Sequence, residues 1–295
     1  MQIRAHAKLN LCLSVGPPIP GGRPGAGYHP IASWMTPISL ADDIAIERTP
    51  GDAPAPCAIR WAGGSAVEWP IERDLAVRAH RALEDRAGRT LPIALEITKR
   101  IPAGGGLGGG SSDAAAVLRA VPALFELDIN EDALLQIARS LGSDVPFFLD
   151  FQRRLGQPPR SAIVTGLGET VGRLDTHPAS DRDVALLFPT FGCPTRDVYQ
   201  AFDHAPSPLD EAAARALARG ATLDPRALFN DLAEPAMRVE PALRELRQAA
   251  EEQLAAPVHV SGSGSTLFVF PPPDVDVESE LRDLDIRAAT VRILS

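Results

Sequence analysis

Between Pro102 and Ser112 the chain carries six glycines in seven residues: Gly104, Gly105, Gly106, Gly108, Gly109 and Gly110, interrupted by Leu107 and followed by Ser111, Ser112 and Asp113. Glycine lets a backbone approach a ligand and aim consecutive N–H groups at it. A helix that starts at the serines adds unpaired N–H groups and the positive end of its dipole, so the combination suits an anion such as a phosphate. Two other loop types share the composition. Gly104-x-Gly106-x-x-Gly109 fits the dinucleotide fingerprint, with Asp128 about twenty residues on. A run this rich in glycine satisfies many spacings at once, however, and no regular βαβ series surrounds it. A Walker-type phosphate loop needs a lysine before its Ser or Thr, and Gly110 stands in that place. A flexible linker would not sit between an alternating strand and an alanine-rich helix. The loop reads as a phosphate cradle whose countercharge comes from elsewhere.

That search is short, because only Lys8 and Lys99 among the 29 basic residues are lysines. Arginine-rich codon usage explains the rest, so a surviving lysine marks a place that needs a compact ammonium. Lys8 shares the tetrapeptide "AKLN" with Asn10, one of three asparagines in the chain (Asn10, Asn130, Asn230). In a strand His6, Lys8 and Asn10 fall on one face, while Ala5, Ala7, Leu9, Leu11 and Leu13 fall on the other. The polar face suits a site lining. Lys99 immediately precedes the glycines, and Tyr28 and Tyr199 are the only tyrosines.

Elements to position these residues follow from periodicity. Residues 2–15 alternate as a strand, 16–27 form a Pro/Gly loop, and short strands fit 42–48 and 57–61. A helix fits 72–88 with a glycine stop, a strand 92–99, a helix starting at Ser or Asp after the glycines, and a second amphipathic helix 130–141. After 150 comes a loop-rich stretch, then a strand at 183–189 and helices near 195–203, 208–219 and 236–254. The chain ends as strand 257–261, Gly/Ser turn, strand 266–270, helix 275–284 and strand 285–293. This is an α+β pattern in two halves, and we place the domains at 1–155 and 156–295.

With 295 residues, 45% hydrophobic and 23% charged, the composition is that of a globular protein with a substantial core. There is no apolar run of membrane-spanning length and no signal-peptide core, so no membrane partner is expected. Cys12, Cys57 and Cys193 form neither a zinc pattern nor a disulfide framework, which points to the cytoplasm. A net charge of −9 excludes a general nucleic-acid binder. No residue set is singled out as metal ligands.

"PAGGGLGGGSSDAA" resembles the second motif of the GHMP small-molecule kinases, "AKLNLCLSV" (7–15) their first, and "VSGSGSTLF" (260–268) their third, in the expected order across nearly the whole chain. With "GYH" (27–29), "LGSDVPFFL" (141–149), "GLGE" (166–169) and "FNDL" (229–232), the chain is similar to a branch of that family. The branch phosphorylates a cytidine diphosphate sugar alcohol in non-mevalonate isoprenoid synthesis. The resemblance implies a two-domain α+β fold with the active site in the cleft between the domains, and ATP and Mg²⁺ as cofactors. It implies small-molecule partners only, and a monomer or homodimer. Carried over residue by residue, Lys8 and Asp144 are the catalytic pair. Lys99, Pro102, Gly104, Gly105, Gly106, Leu107, Gly108, Gly109, Gly110, Ser111 and Ser112 bind ATP. Asn10, Tyr28, His29, Thr195, Tyr199 and Asp144 bind the acceptor, with Tyr28 and Tyr199 stacking on cytosine and His29 reading its edge. Ser263, Gly264 and Ser265 close against the substrate or the loop. Homoserine or mevalonate as acceptor is disfavoured by "GYH" and the paired tyrosines. The chain departs from the family in its long 16–26 loop, in Ala26, in Asp74 where many members have Asn, and in an insertion after Phe148 that carries Arg153, Arg154 and Arg160.

Overall fold

A computed structural model describes residues 1–51 and 57–295. Strand β1 runs Gln2–Val15, and from Ala5 onward every residue in it is buried. The polar face of His6, Lys8 and Asn10 therefore points into the protein rather than into water. Strand β2, Ile31–Arg48, starts eleven positions before the expected 42–48. Residues 31–38 are buried on both faces, so the period-two contrast that reveals a half-buried strand is missing there.

The chain divides into two compact units, and β1 and β2 each contribute to both. The first comprises Met1–Ala7, Leu40–Ala103 and Gly108–Pro159. Here β3 (Cys57–Trp61) runs parallel to β4 (Ile93–Lys99), and β4 pairs antiparallel with the second half of β2, Asp43 opposite Thr98. Helices α1 (Leu75–Ala87), α2 (Gly109–Phe125), α3 (Glu131–Leu141) and α4 (Val145–Phe148) complete the unit. Asp74 caps α1 by accepting from the Ala76 N–H and also accepts from the Trp69 indole, while Gly88 closes the helix in the left-handed region. The departure at Asp74 thus has a local structural use. Ala76, Ala79 and Leu83 give α1 a buried stripe, and α1 packs along α2. Asn130 caps α3 as its type predicts.

The second unit comprises Lys8–Ser39, Gly104–Leu107 and Arg160–Ser295. Strands β5 (Ala162–Gly166) and β6 (Thr170–Arg173) lie in the stretch expected to be loop-rich or beyond it, and β5 pairs antiparallel with the first half of β2. A four-stranded antiparallel sheet orders β10 (Ile286–Arg292), β7 (Asp183–Pro189), β9 (Leu267–Val269) and β8 (Val258–Val260). Helices α5 (Thr195–Phe202) and α6 (Glu211–Arg219) follow β7. The single helix expected at 236–254 is two, α7 (Ala233–Val239) and α8 (Pro241–Leu254). Pro241 forces Glu240 into an extended backbone and restarts the helix. The helix expected at 275–284 is a single turn, α9 (Val277–Glu280). No helix among the described residues is long and apolar enough to cross a membrane.

Candidate functional site

The glycine run folds as an alternation of backbone hands. Gly104, Gly106 and Gly108 have φ of 72°, 74° and 72°, in the left-handed region that an L side chain resists. At Gly106 there is a second constraint: a Cβ would lie 2.1 Å from the Ser261 carbonyl oxygen. Helix α2 then begins at Gly109, with Gly108 as its N-cap and no side-chain cap. Ser111 and Ser112, expected as the helix start and as possible caps, lie instead inside the first turn. The N–H groups of Gly109, Gly110 and Ser111 have no carbonyl partner within the helix, because the bonding begins with the Ser112 N–H donating to the Gly108 carbonyl. Such a turn offers donors and the dipole's positive end to an anion.

Lys8 meets this loop from β1. It is 3% exposed; its ammonium donates to Asn10 Oδ1 and, at 2.8 Å, to the Gly106 carbonyl oxygen, while its backbone N–H donates to the Leu107 carbonyl. Asn10 is fixed in turn by donating to Ser33 Oγ at 2.8 Å, and Ser33 donates to the Cys12 carbonyl. The Ser261 hydroxyl also donates to the Gly106 carbonyl, and Gly262 packs close to Asn10 Oδ1. Residues of all three motifs thus converge on Gly106. Asn230, noted in the sequence for its rarity and as part of "FNDL", locks the third motif by donating from its amide to the Val260 and Gly262 carbonyls at 2.8 Å each.

A second cluster forms around His29. Its ring lies 5.0 Å from Tyr199 and 5.7 Å from Phe202, and its Nε2 is 2.7 Å from Asp203 Oδ1. Tyr28 beside it is 69% exposed, which leaves its ring face available. Gly25 and Gly27, both at positive φ, let the 16–27 loop fold back so that the Ile19 N–H donates to the Tyr28 carbonyl. Thr195, at the start of α5, pairs with Ser263 Oγ at 2.9 Å, joining an expected acceptor residue to the third motif. Asp144 occupies the N-cap position of α4, half-buried, and makes no capping bond there.

Lys99 ends β4, immediately before the loop. Its ammonium, 3% exposed, is held between the carboxylates of Asp42 and Asp113, both wholly buried. Asp42 also accepts from the backbone N–H groups of Arg100 and Ile101, directly before the glycine loop. Burial pulls the Lys99 ammonium down, but Asp113 and Asp42 outweigh it and hold it above the ordinary lysine range. Burial pushes Asp113 up to about 8 against the pull of Lys99. The ammonium is thus engaged within the protein, where with Asp42 it pins the strand that feeds the loop. Asp42 and Asp113 were not among the expected site residues.

Comparison with known proteins agrees with this geometry. The GHMP kinases N terminal domain family matches residues 74–150, and the GHMP kinases C terminal family matches 209–289. The chain belongs to the GHMP kinase family. Within it, a 4-diphosphocytidyl-2-C-methyl-D-erythritol kinase of Thermus thermophilus is 37% identical over 91% of this chain and 86% of its own. One of Desulfotalea psychrophila is 34% identical over 91% and 84%. A crystal structure of 4-(cytidine 5'-diphospho)-2C-methyl-D-erythritol kinase, 34% identical, superposes with a TM-score of 0.75 over 100% of both chains. The mixed α and β architecture is that of these kinases.

Proposed function

We propose that the chain transfers the γ-phosphoryl group of ATP to the C2 hydroxyl of 4-diphosphocytidyl-2-C-methyl-D-erythritol, a step of non-mevalonate isoprenoid precursor synthesis. The observation that carries the reading is the meeting of Lys8, Asn10 and Ser261 at the Gly106 carbonyl. It sets an ammonium beside a glycine cradle that lacks a lysine of its own. Relatives that are 34% and 37% identical and share this activity by name support the acceptor. In this reading the N–H groups of the loop 104–110 hold the phosphates. Asp144 takes the proton of the C2 hydroxyl as its oxygen bonds the γ-phosphorus. The bond to the β–γ bridging oxygen breaks, and ADP leaves with that electron pair. The Lys8 ammonium offsets charge on the transferred group. Lys99 acts indirectly, through its grip on Asp42 and Asp113.

ATP enters as its magnesium complex. The described residues contain no group of three or more His, Cys, Asp or Glu able to hold an ion. Magnesium needs only one or two protein oxygens when phosphates and water supply the rest, so the Ser112 hydroxyl fits this requirement. Tyr28 and Tyr199 stack the cytosine, His29 reads its edge, and Asn10 and Thr195 hold the acceptor. Two domains, 1–155 and 156–295, accompany the reading. ADP release with Mg-ATP and the diphosphocytidyl compound, run beside homoserine and mevalonate, tests it. We expect turnover with the first alone; no turnover with the first overturns the reading.

A further inference from the structure

Helix α5 delivers three residues to one histidine. Tyr199 and Phe202 lie three apart and Asp203 follows immediately, so all three share the helix end that faces His29. The His29 side chain is 6% exposed, and the two rings pack at interplanar angles of 43° and 79°, which restricts its rotation. Its Nε2 lies 2.7 Å from Asp203 Oδ1. A carboxylate can only accept, so Nε2 donates and keeps the ring's proton. In the neutral ring Nδ1 is then left with its lone pair. Nδ1 makes no hydrogen bond among the described residues, nor is it one of their buried unpaired atoms.

We propose that Asp203 is a specificity-determining residue that makes this site select cytosine over uracil, by fixing His29 as a hydrogen-bond acceptor at Nδ1. The inference rests on the substrate reading above. The two bases differ at one edge. Cytosine presents a 4-amino donor there, and uracil presents the O4 acceptor. An Nδ1 lone pair bonds the amino group but faces O4 with like charge, and a site left with an unpaired polar group rejects the analogue. Asp203 itself does not touch the base. It acts through the tautomer and aim of His29, as carboxylates do behind metal-binding histidines.

The test compares kcat/KM for 4-diphosphocytidyl- and 4-diphosphouridyl-2-C-methyl-D-erythritol in the wild-type enzyme, Asp203→Asn and Asp203→Glu. An asparagine amide can donate or accept, so it no longer dictates the tautomer. We expect the cytidyl-to-uridyl ratio to fall about tenfold in Asp203→Asn and to stay near wild type in Asp203→Glu. The 15N spectrum of wild-type His29 should show the proton on Nε2, a readout that does not depend on how well a variant folds. A wild-type proton on Nδ1, or a ratio unchanged in Asp203→Asn because both constants fall together, overturns the assignment. A wild-type enzyme that uses both compounds equally, or neither, overturns the cytosine reading itself and this inference with it.

Discussion

At the scale of single residues, glycine positions that look alike in sequence differ in what they must do. Gly104 and Gly106 share a left-handed backbone, but a Cβ at Gly104 meets nothing within 4 Å, whereas one at Gly106 collides with the Ser261 carbonyl oxygen. Gly104→Ala should cost only the backbone strain, about 1 kcal/mol. Gly106→Ala adds overpacking against main chain and should cost about 2–4 kcal/mol. Urea unfolding of the two variants separates the cases; equal losses would count against the packing of the second and third motifs. Asp144→Asn keeps the side chain's shape and removes its basicity. It should bind nucleotide normally and lose at least about a hundredfold in kcat; a near-normal rate removes Asp144 as the base. The meeting of Lys8 and Asn10 with the glycine loop was foreshadowed by short motifs in fixed order, the same signal that singles out Asp144 for the test above. Asp203 was not readable. It is one of 38 acidic residues, and its meaning depends on a histidine 174 positions away.

At the scale of elements, the strand–loop–helix unit around the glycines depends on the buried group of Asp42, Lys99 and Asp113. One ammonium serves two carboxylates. Asp42 accepts from it together with two backbone N–H groups, while Asp113 accepts from it at Oδ2 only, its Oδ1 having no partner among the described residues. Asp113 is thus the carboxyl raised by burial, to about 8. A folded value above the unfolded one contributes stability that is complete below the unfolded value of 3.8 and is lost as pH rises through about 8. The slope approaches about 1.4 kcal/mol per pH unit for one proton. Asp113→Asn removes that titration, so its stability relative to wild type should improve steadily from pH 5 to pH 8, about the range over which the proton is held. Thermal unfolding across that range checks it, and a flat difference curve would show that Asp113 keeps its charge. Half-exposed elements such as β4, α1 and α3 were legible from periodicity and caps. The first half of β2 was hidden by burial on both faces, and the break between α7 and α8 is a proline effect inside an otherwise continuous pattern.

At the scale of the molecule, a linear cut describes the chain only in part. Residues 8–39 belong with the unit that holds most of the C-terminal half, and β5 takes the first half of β2 as its partner. Sequence periodicity marks strands but not which distant strand completes them, so this interleaving was beyond a reading along the chain. The scarcity of lysine, first a hint about Lys8, acquires a broader meaning once both lysines are placed. Each is 3% exposed and engaged with internal oxygens. No lysine side chain therefore offers a primary amine to solvent. Acylating and reductively alkylating reagents should leave both lysines of the native protein untouched. Mass spectrometry of the lysine-containing peptides after N-hydroxysuccinimide acetate treatment should show acetylation at Lys8 and Lys99 only as the protein unfolds. The two ammonium groups then serve as an intrinsic reporter of global opening, without any introduced label.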